Sequence, residues 1–308
     1  MKIPFTKMQT LSTDIVFPES TGDVPRPKLV EFLSKRQSGL LLDSIVFLEH
    51  LLLPNGEYIY GAKFYAPYDT AAHPLPSNEE LRALGAYVSL KRNTGCEEVT
   101  VLNEGRIHRL RVKNANHSGA HALVTTELPS PAYDAVRVGL ASGVPLLGQT
   151  ITVGAVQLPM YAIAFEKTYA VIFDVGTPLD RLKLSSIALP LTLHPLFEKG
   201  VSAVFASFSK DASLTVRVYD RDAGELCSSG EGAAAAVAVA QFLGRVPIGR
   251  PTTVKMRGGT LLIGAKALGT SMTVTAEAHY CFGGVIEFDR LTGETVSSFE
   301  KNEKTSPG

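Results

Sequence analysis

The chain has 308 residues, 45% hydrophobic and 19% charged, enough apolar material for a large core divided between two compact lobes. Thirty basic and thirty acidic side chains cancel without forming runs, so neither a nucleic acid nor an anionic membrane finds an electrostatic footprint, and the expected partner is a small molecule. The opening MKIPFTKMQTLSTD turns polar too early for a secretory segment, and Cys96, Cys227 and Cys281 are odd in number with no metal-type spacing, which predicts a cytoplasmic protein with reduced, structural thiols and no metal.

In chain order, a first helix is predicted from about Pro27, suited to a first turn, through KLVEFLSKRQ to Gly39, suited to a helix stop. A second follows Ser77 in PSNEELRALGAYVSL, where Leu81, Leu84 and Val88 share one face and Arg82 and Tyr87 keep it partly polar. VTVLN, RIHRLRVK, YAVIFDV, AVFASF and SLTVRVYD then read as strands between Gly, Asn and Pro turns. The third helix, GAAAAVAVAQFL, is apolar nearly all round and must be surrounded by protein; a helix threaded through a curled sheet fits. TTVKM, TLLIG and SMTVTAE add strands, and residues 291–308 read as a disordered tail.

The order repeats weakly. Each half has strands, a turn carrying a serine and a glutamate, a helix and further strands, with Ser77-Asn78-Glu79-Glu80 in one half and Ser229-Gly230-Glu231-Gly232 in the other. This predicts an N-terminal lobe of residues 1–127, to which a strand at 279–290 returns, and a C-terminal lobe of 128–278.

RVYDRDAGELCSSGEGAAAAVAVA, from Arg217 to Ala240, resembles the most distinctive segment of the diaminopimelate epimerases, in which R-V-Y-E-R-G-x-G-E-T leads into A-C-G-[ST]-G-A and an alanine-rich helix. FTKMQTLSTDIVF, LVEFLSKRQSGLLLDSIVFLE and DVGTPLDRL extend the resemblance, in order, over most of residues 1 to 290. It implies an α/β (α+β) fold of two pseudo-symmetric diaminopimelate-epimerase-like lobes, each a curved, mostly antiparallel sheet around a central helix. It also implies an active site between the lobes and no cofactor; a homodimer is left open.

In that family two cysteines, one at each central helix start, remove and return the α-proton of an amino acid. The resemblance aligns them with Ser77 and Ser229. A serine hydroxyl is a far weaker base than a thiolate, so simple serine-for-cysteine racemisation is not expected. The family's amino-acid ligands fall on Thr13, Tyr65, Thr177 and Ser202, the histidine of G-N-P-H on Leu179, and the glutamate of Y-E-R on Asp220. With Tyr65, Pro67, Tyr68 and Leu179 in place of polar ligands, the implied guest is larger and less polar. What survives is the cradle Ser229-Gly230-Glu231-Gly232, whose helix-start amides suit a carboxylate or enolate oxygen.

Single residues carry competing readings. Ser77 with Glu80 is a capping box, a structural role set against a chemical one. Ser229 can cap as well, but Gly230 and Gly232 weaken a helix start by up to about 1 kcal/mol each, which favours a site. Glu231 stands where the family has a hydroxyl; a buried carboxylate with raised pKa suits acid–base work, and interaction with the helix dipole is the alternative. Cys227 is a candidate displaced thiol, His73 and Asp69 are expected to be exposed loop residues, and Asp220, Arg221 and Glu225 an ion-pair scaffold.

The expectation is therefore a cofactor-independent isomerase- or cyclase-type enzyme working on a non-amino-acid, hydrophobic biosynthetic metabolite. Its catalytic candidates are Glu231, Ser229 and Ser77. Its substrate-binding candidates are Thr13, Tyr65, Tyr68, Thr177, Leu179, Ser202, Asp220, Arg221, Gly230 and Gly232. The phenazine-pathway isomerases, which share this fold, lack the cysteine pair and use a carboxylate, supply the analogy. The alternatives are a catalytically inactive epimerase-like binding protein and a serine-variant amino-acid epimerase.

Overall fold

The structure is a computed structural model that describes residues 2–20, 24–35, 40–54, 58–92, 97–114 and 120–287. The predicted tail at 291–308, the helix stop at Gly39 and Cys96 lie outside the described residues. The chain divides into two units, residues 1–126 with 277–308, and residues 127–276.

The first unit runs β1 (Lys2–Thr10), β2 (Thr13–Pro18), α1 (Arg26–Ser34), β3 (Ser44–Leu52), β4 (Tyr58–Tyr65), α2 (Asn78–Arg92), β5 (Glu98–Asn103), β6 (Arg106–Asn114) and β7 (His121–Leu128). The second runs α3 (Ala135–Val138), β8 (Leu147–Val153), β9 (Val156–Ala164), β10 (Thr168–Phe173), α4 (Leu184–Thr192), β11 (Ser202–Phe208), β12 (Leu214–Asp220), β13 (Gly224–Leu226), α5 (Gly230–Phe242), β14 (Thr252–Met256), β15 (Gly259–Ala265) and β16 (Met272–Glu287). The C-terminal part of β16 belongs to the first unit, where it pairs antiparallel with β1 from Lys2↔Glu287 to Gln9↔His279. With β7 on its other edge, β16 closes the first unit into an eight-stranded barrel in the order β1-β2-β3-β4-β5-β6-β7-β16. Among the described strands of that unit, closure leaves no unpaired edge.

The predicted duplication is visible in the crossovers. In the first unit β2–α1–β3 and β4–α2–β5 are parallel crossovers; in the second β10–α4–β11 and β12–α5–β14 are. A parallel pair needs such a connection, and apart from β1 with β16 the remaining named pairings are antiparallel hairpins. In each unit one crossover helix is enclosed by its sheet. Helix α2 packs on β1, β2, β3, β5 and β6, burying Leu81, Ala83, Leu84, Ala86 and Val88, and α5 packs on β9, β10, β11, β12 and β15.

Alanine explains how α5 fits. From Gly230 to Gln241 every residue except Glu231 is buried, so only side chains no larger than valine, ended by Gln241, meet the surrounding strands. Gly232 has a packing reason: a Cβ there would lie 2.7 Å from Val218 Cγ2 on β12. This corrects the reading of that glycine as unfavourable for the helix without a structural return.

Two helices differ from expectation. α1 ends at Ser34, with Lys35 already extended (φ −66°, ψ 131°), short of the predicted span. α4 was not predicted, because Pro190 lies within it and proline reads as a helix breaker. Here it falls in the last turn, where it removes one amide, and Leu184, Ala188 and Leu191 still reach the core of the second unit.

Candidate active site

At the start of α2, Ser77 and Glu80 form the predicted capping box. The Ser77 backbone amide donates to Glu80 Oε2 at 2.7 Å, and the Glu80 amide donates to Ser77 Oγ at 3.2 Å. The Ser77 hydroxyl also donates to Glu80 Oε2, at 3.0 Å, so both of its hydrogen-bonding capacities serve the cap. The other oxygen, Oε1, accepts from Ser44 Oγ and from His73 Nε2, the latter at 3.0 Å. His73 Nδ1 meets the Leu75 carbonyl at 3.1 Å. A carbonyl and a carboxylate only accept, so the imidazolium form, in which both ring nitrogens of His73 donate, satisfies both contacts. The Glu80 hydrogen bond raises its pKa above the ordinary histidine value, against the opposing effect of burial. Burial pushes the Glu80 carboxyl upward, but the His73 bond and charge, with Ser44 and the Ser77 amide, outweigh it and hold the group low. His73 is thus half-buried and paired, a correction to its reading as an exposed loop residue.

One turn on, Arg82 is fully buried on α2. Its Nη1 donates to Thr10 Oγ1 at 3.2 Å, while Nε and Nη2 find no partner among the described residues, and burial lowers its pKa, partly offset by the charge of Glu79.

At the start of α5, Ser229 is the N-cap and its Oγ accepts from the Gly232 amide at 3.0 Å. That amide of the expected cradle is therefore already occupied. Glu231 turns its carboxylate to the tight connection between β9 and β10, where Oε1 accepts from the Lys167 amide at 2.8 Å. Burial drives the Glu231 carboxyl up to about 7, against the Lys167 and Glu166 amides and the Lys167 charge, which pull it down. A carboxylate with that affinity exchanges protons near neutral pH.

Lys167 was not singled out in the sequence, yet it also reaches Asp220: its Nζ lies 3.0 Å from Asp220 Oδ2, which accepts from Ser202 Oγ at 3.2 Å as well. Asp220 Oδ1 takes the amides of Asp222 and Ala223 at 2.9 and 3.1 Å. Burial would raise Asp220, but these donors and the Lys167 charge hold it below the ordinary range. Two carboxylates tied to one lysine thus have opposed proton affinities, an arrangement that separates an acid–base group from a fixed anion.

The ion-pair scaffold exists with different partners. Glu225 receives a bidentate contact from Arg217, at 2.8 and 3.0 Å, and a second arginine, Arg257, at 3.0 Å. Arg217 also donates to the carbonyls of Leu179 and Leu182. Arg221 instead pairs with its neighbour Asp222 at 2.9 Å and reaches the Lys199 carbonyl. Among the other candidates, Leu179 is buried in the second unit's core and Thr177 is exposed. Tyr65 is buried in the core against α1, its ring edge-on to Phe47 at 5.4 Å, which makes it a packing residue of that layer. Tyr68 is exposed with φ of +67°, its amide donating to Ser34 Oγ; Asp69 is exposed, and Thr13 is half-buried at the start of β2. Gly230 is buried at the first position of α5. Cys227 and Cys281 are free and exposed thiols.

A cavity of about 170 Å³ lies in the first unit beside the C-terminal half of α2, with Phe17, Val46, Leu48, His50, Tyr60 and Tyr87 in its lining. The rings of Phe17 and Tyr87 stack there at 4.4 Å. None of the predicted site residues lines it. Among the described residues, no cluster of His, Cys, Asp and Glu is arranged to hold a metal, and no helix is long and apolar enough to cross a membrane.

With this geometry in place, the comparisons agree on the fold. A hydroxyproline epimerase from Agrobacterium vitis, solved with bound trans-4-hydroxy-L-proline, superposes with a TM-score of 0.63 at 14% identity, over 95% of this chain and 94% of its own. A phenazine biosynthesis protein from Bacillus anthracis gives 0.58 at 9% identity, over 92% and 99%. A methylitaconate-delta-isomerase gives 0.59 at 10% identity, over 92% and 95%. These structures define the fold, which this chain shares with an epimerase, an isomerase and a phenazine biosynthesis protein. No protein-family model matches the chain. In sequence, the diaminopimelate epimerase of Leptospira biflexa is 26% identical over 294 residues, 93% of this chain and all of its own, and that of Methanococcus maripaludis strain C5 is 24% identical over 286 residues, 92% and 99%. The chain is thus similar over nearly its whole length to diaminopimelate epimerases, with Ser77 and Ser229 where the resemblance places that family's two cysteines.

Proposed function

We propose that this chain is a cofactor-independent isomerase that moves a proton on a non-amino-acid, largely apolar carbonyl or carboxylic compound, with Glu231 as the proton carrier. The observation that carries the reading is the half-buried carboxyl of Glu231 at the start of the enclosed helix α5, held at 2.8 Å by the Lys167 amide and with a pKa pushed up to about 7. In the proposed step, Glu231 takes a proton from the carbon beside the substrate carbonyl, and the C–H electron pair moves onto the carbonyl oxygen as an enolate. The proton then returns from Glu231 to another carbon or face, so atoms and charge balance without an external acceptor. Ser229 serves as the cap that fixes the helix start, and Asp220 remains ionised as the counter-charge of Lys167.

The loss of both cysteines argues against the reaction named for the sequence relatives, since neither serine has a thiolate's basicity. Ser77 supports the same view, because its hydroxyl is committed to Glu80. The test is a deuterium-incorporation screen in D₂O on branched and unsaturated carboxylic acids beside diaminopimelate, glutamate and proline. Exchange confined to the non-amino acids is the expected result. Exchange at the α-carbon of diaminopimelate would overturn the proposal.

A further inference from the structure

We propose that Lys167 is the positioning residue for Glu231, its backbone amide fixing carboxylate Oε1 while its ammonium, clamped by Asp220, holds the turn that presents this amide. The inference rests on the reading of Glu231 as the proton carrier, but it is tested without substrate.

The local geometry carries it. β9 and β10 are joined by Phe165, Glu166 and Lys167, and the register resumes at Ala164↔Thr168. Inside this connection the Phe165 amide donates to the Lys167 carbonyl at 3.0 Å. That bond uses the Lys167 carbonyl, and the Lys167 amide donates to the carboxylate arriving from α5 at 2.8 Å. The strands β9 and β10 set this turn against α5, and Asp220 adds a second tether to the lysine itself. This aspartate is 4% exposed and held by Ser202 Oγ and the amides of Asp222 and Ala223, so it is a fixed anchor, and it grips Lys167 Nζ at 3.0 Å. One residue therefore ties the β9–β10 turn to β12 through its side chain and to α5 through its main chain.

The same arrangement has an electrostatic consequence. The charged groups acting on Glu231 are Lys167, which favours its ionised form, and Glu166, which opposes it; Asp220 stands behind the lysine. Removing the ammonium and keeping the amide should leave Glu231 still held but more reluctant to ionise. A turn anchor with no influence on the carboxylate would leave its titration alone.

The experiment is a ¹³C NMR titration of the Glu231 carboxyl, assigned with E231Q, in the wild type, K167M and K167R. The proposal predicts a higher midpoint in K167M and a near-wild-type midpoint in K167R. An unchanged or lower midpoint in K167M would overturn it. Lys167 is more than half exposed, so these variants retain the core. The clamp is tested separately by D220N, in which hydrogen exchange of the Lys167 amide should accelerate by roughly tenfold or more as the turn loosens; unchanged exchange would remove the clamp. Failure of Glu231 as proton carrier shows instead in the turnover of E231Q, so the two ideas fail independently.

Discussion

Ser77 and Glu80 satisfy each other's backbone amides across the first turn of α2, at 2.7 Å in one direction and 3.2 Å in the other. The position that the resemblance assigns to a catalytic cysteine is thus occupied by a helix cap. Ser77→Ala should lower the unfolding free energy by about 0.5–2 kcal/mol in urea melts, with turnover nearly unchanged. A hundredfold loss of rate at unchanged stability would return its hydroxyl to the chemistry.

The pair behind that cap makes stability depend on pH at both ends. His73 has a raised pKa in the folded state, so its contribution is complete below the unfolded value near 6.5 and is lost as pH rises through the higher folded one. Glu80 has a lowered pKa, so its contribution is present above the unfolded value near 4.5 and is lost as pH falls through the lower folded one. The two overlap most fully between those unfolded values. Melting temperatures of the wild type and H73Q should therefore differ most at about pH 5–6 and converge towards alkaline pH. A difference independent of pH would show that the imidazolium is not what matters.

Gly232 is predicted to be a packing glycine. Gly232→Ala sets a methyl against Val218 and should cost about 1–3 kcal/mol by overpacking. Val218→Ala opens that space, so the double variant should lose less than the sum of the two single losses. Strict additivity in chemical denaturation would count against direct contact.

Much of this was legible in the sequence where a local pattern has one physical solution. An alanine helix apolar on all faces can only be enclosed, and S-x-x-E before an apolar run can only be a cap or an accident. The return of a C-terminal strand to the first lobe was legible, but its pairing with β1 was not, because β1 and β16 are neighbours in space and far apart in sequence. Two arginines four residues apart could not be ranked without knowing faces. On β12, Val218 lies towards α5 and Asp220 shares its face by alternation, whereas Arg217 points to the opposite face and meets the carbonyls beside α4. Tyr65 looked like a replaced ligand because its type departs from the family's, but its place on β4 turns it into the α1 layer. Lys167 gave no signal at all: its amide and its ammonium bond to residues at least 53 positions away.

The measurement that tests the account most directly is the turnover of Glu231→Gln, followed as deuterium exchange on whichever substrate the screen identifies. The amide replaces the carboxylate with nearly the same shape and keeps an oxygen to accept from Lys167, so the contact stays while the charge and the proton transfer are removed. The account predicts a loss of roughly 10²–10⁴-fold, with the folded state intact by circular dichroism, and a wild-type kcat that rises through an apparent pKa close to 7. A fully active Glu231→Gln enzyme would contradict it.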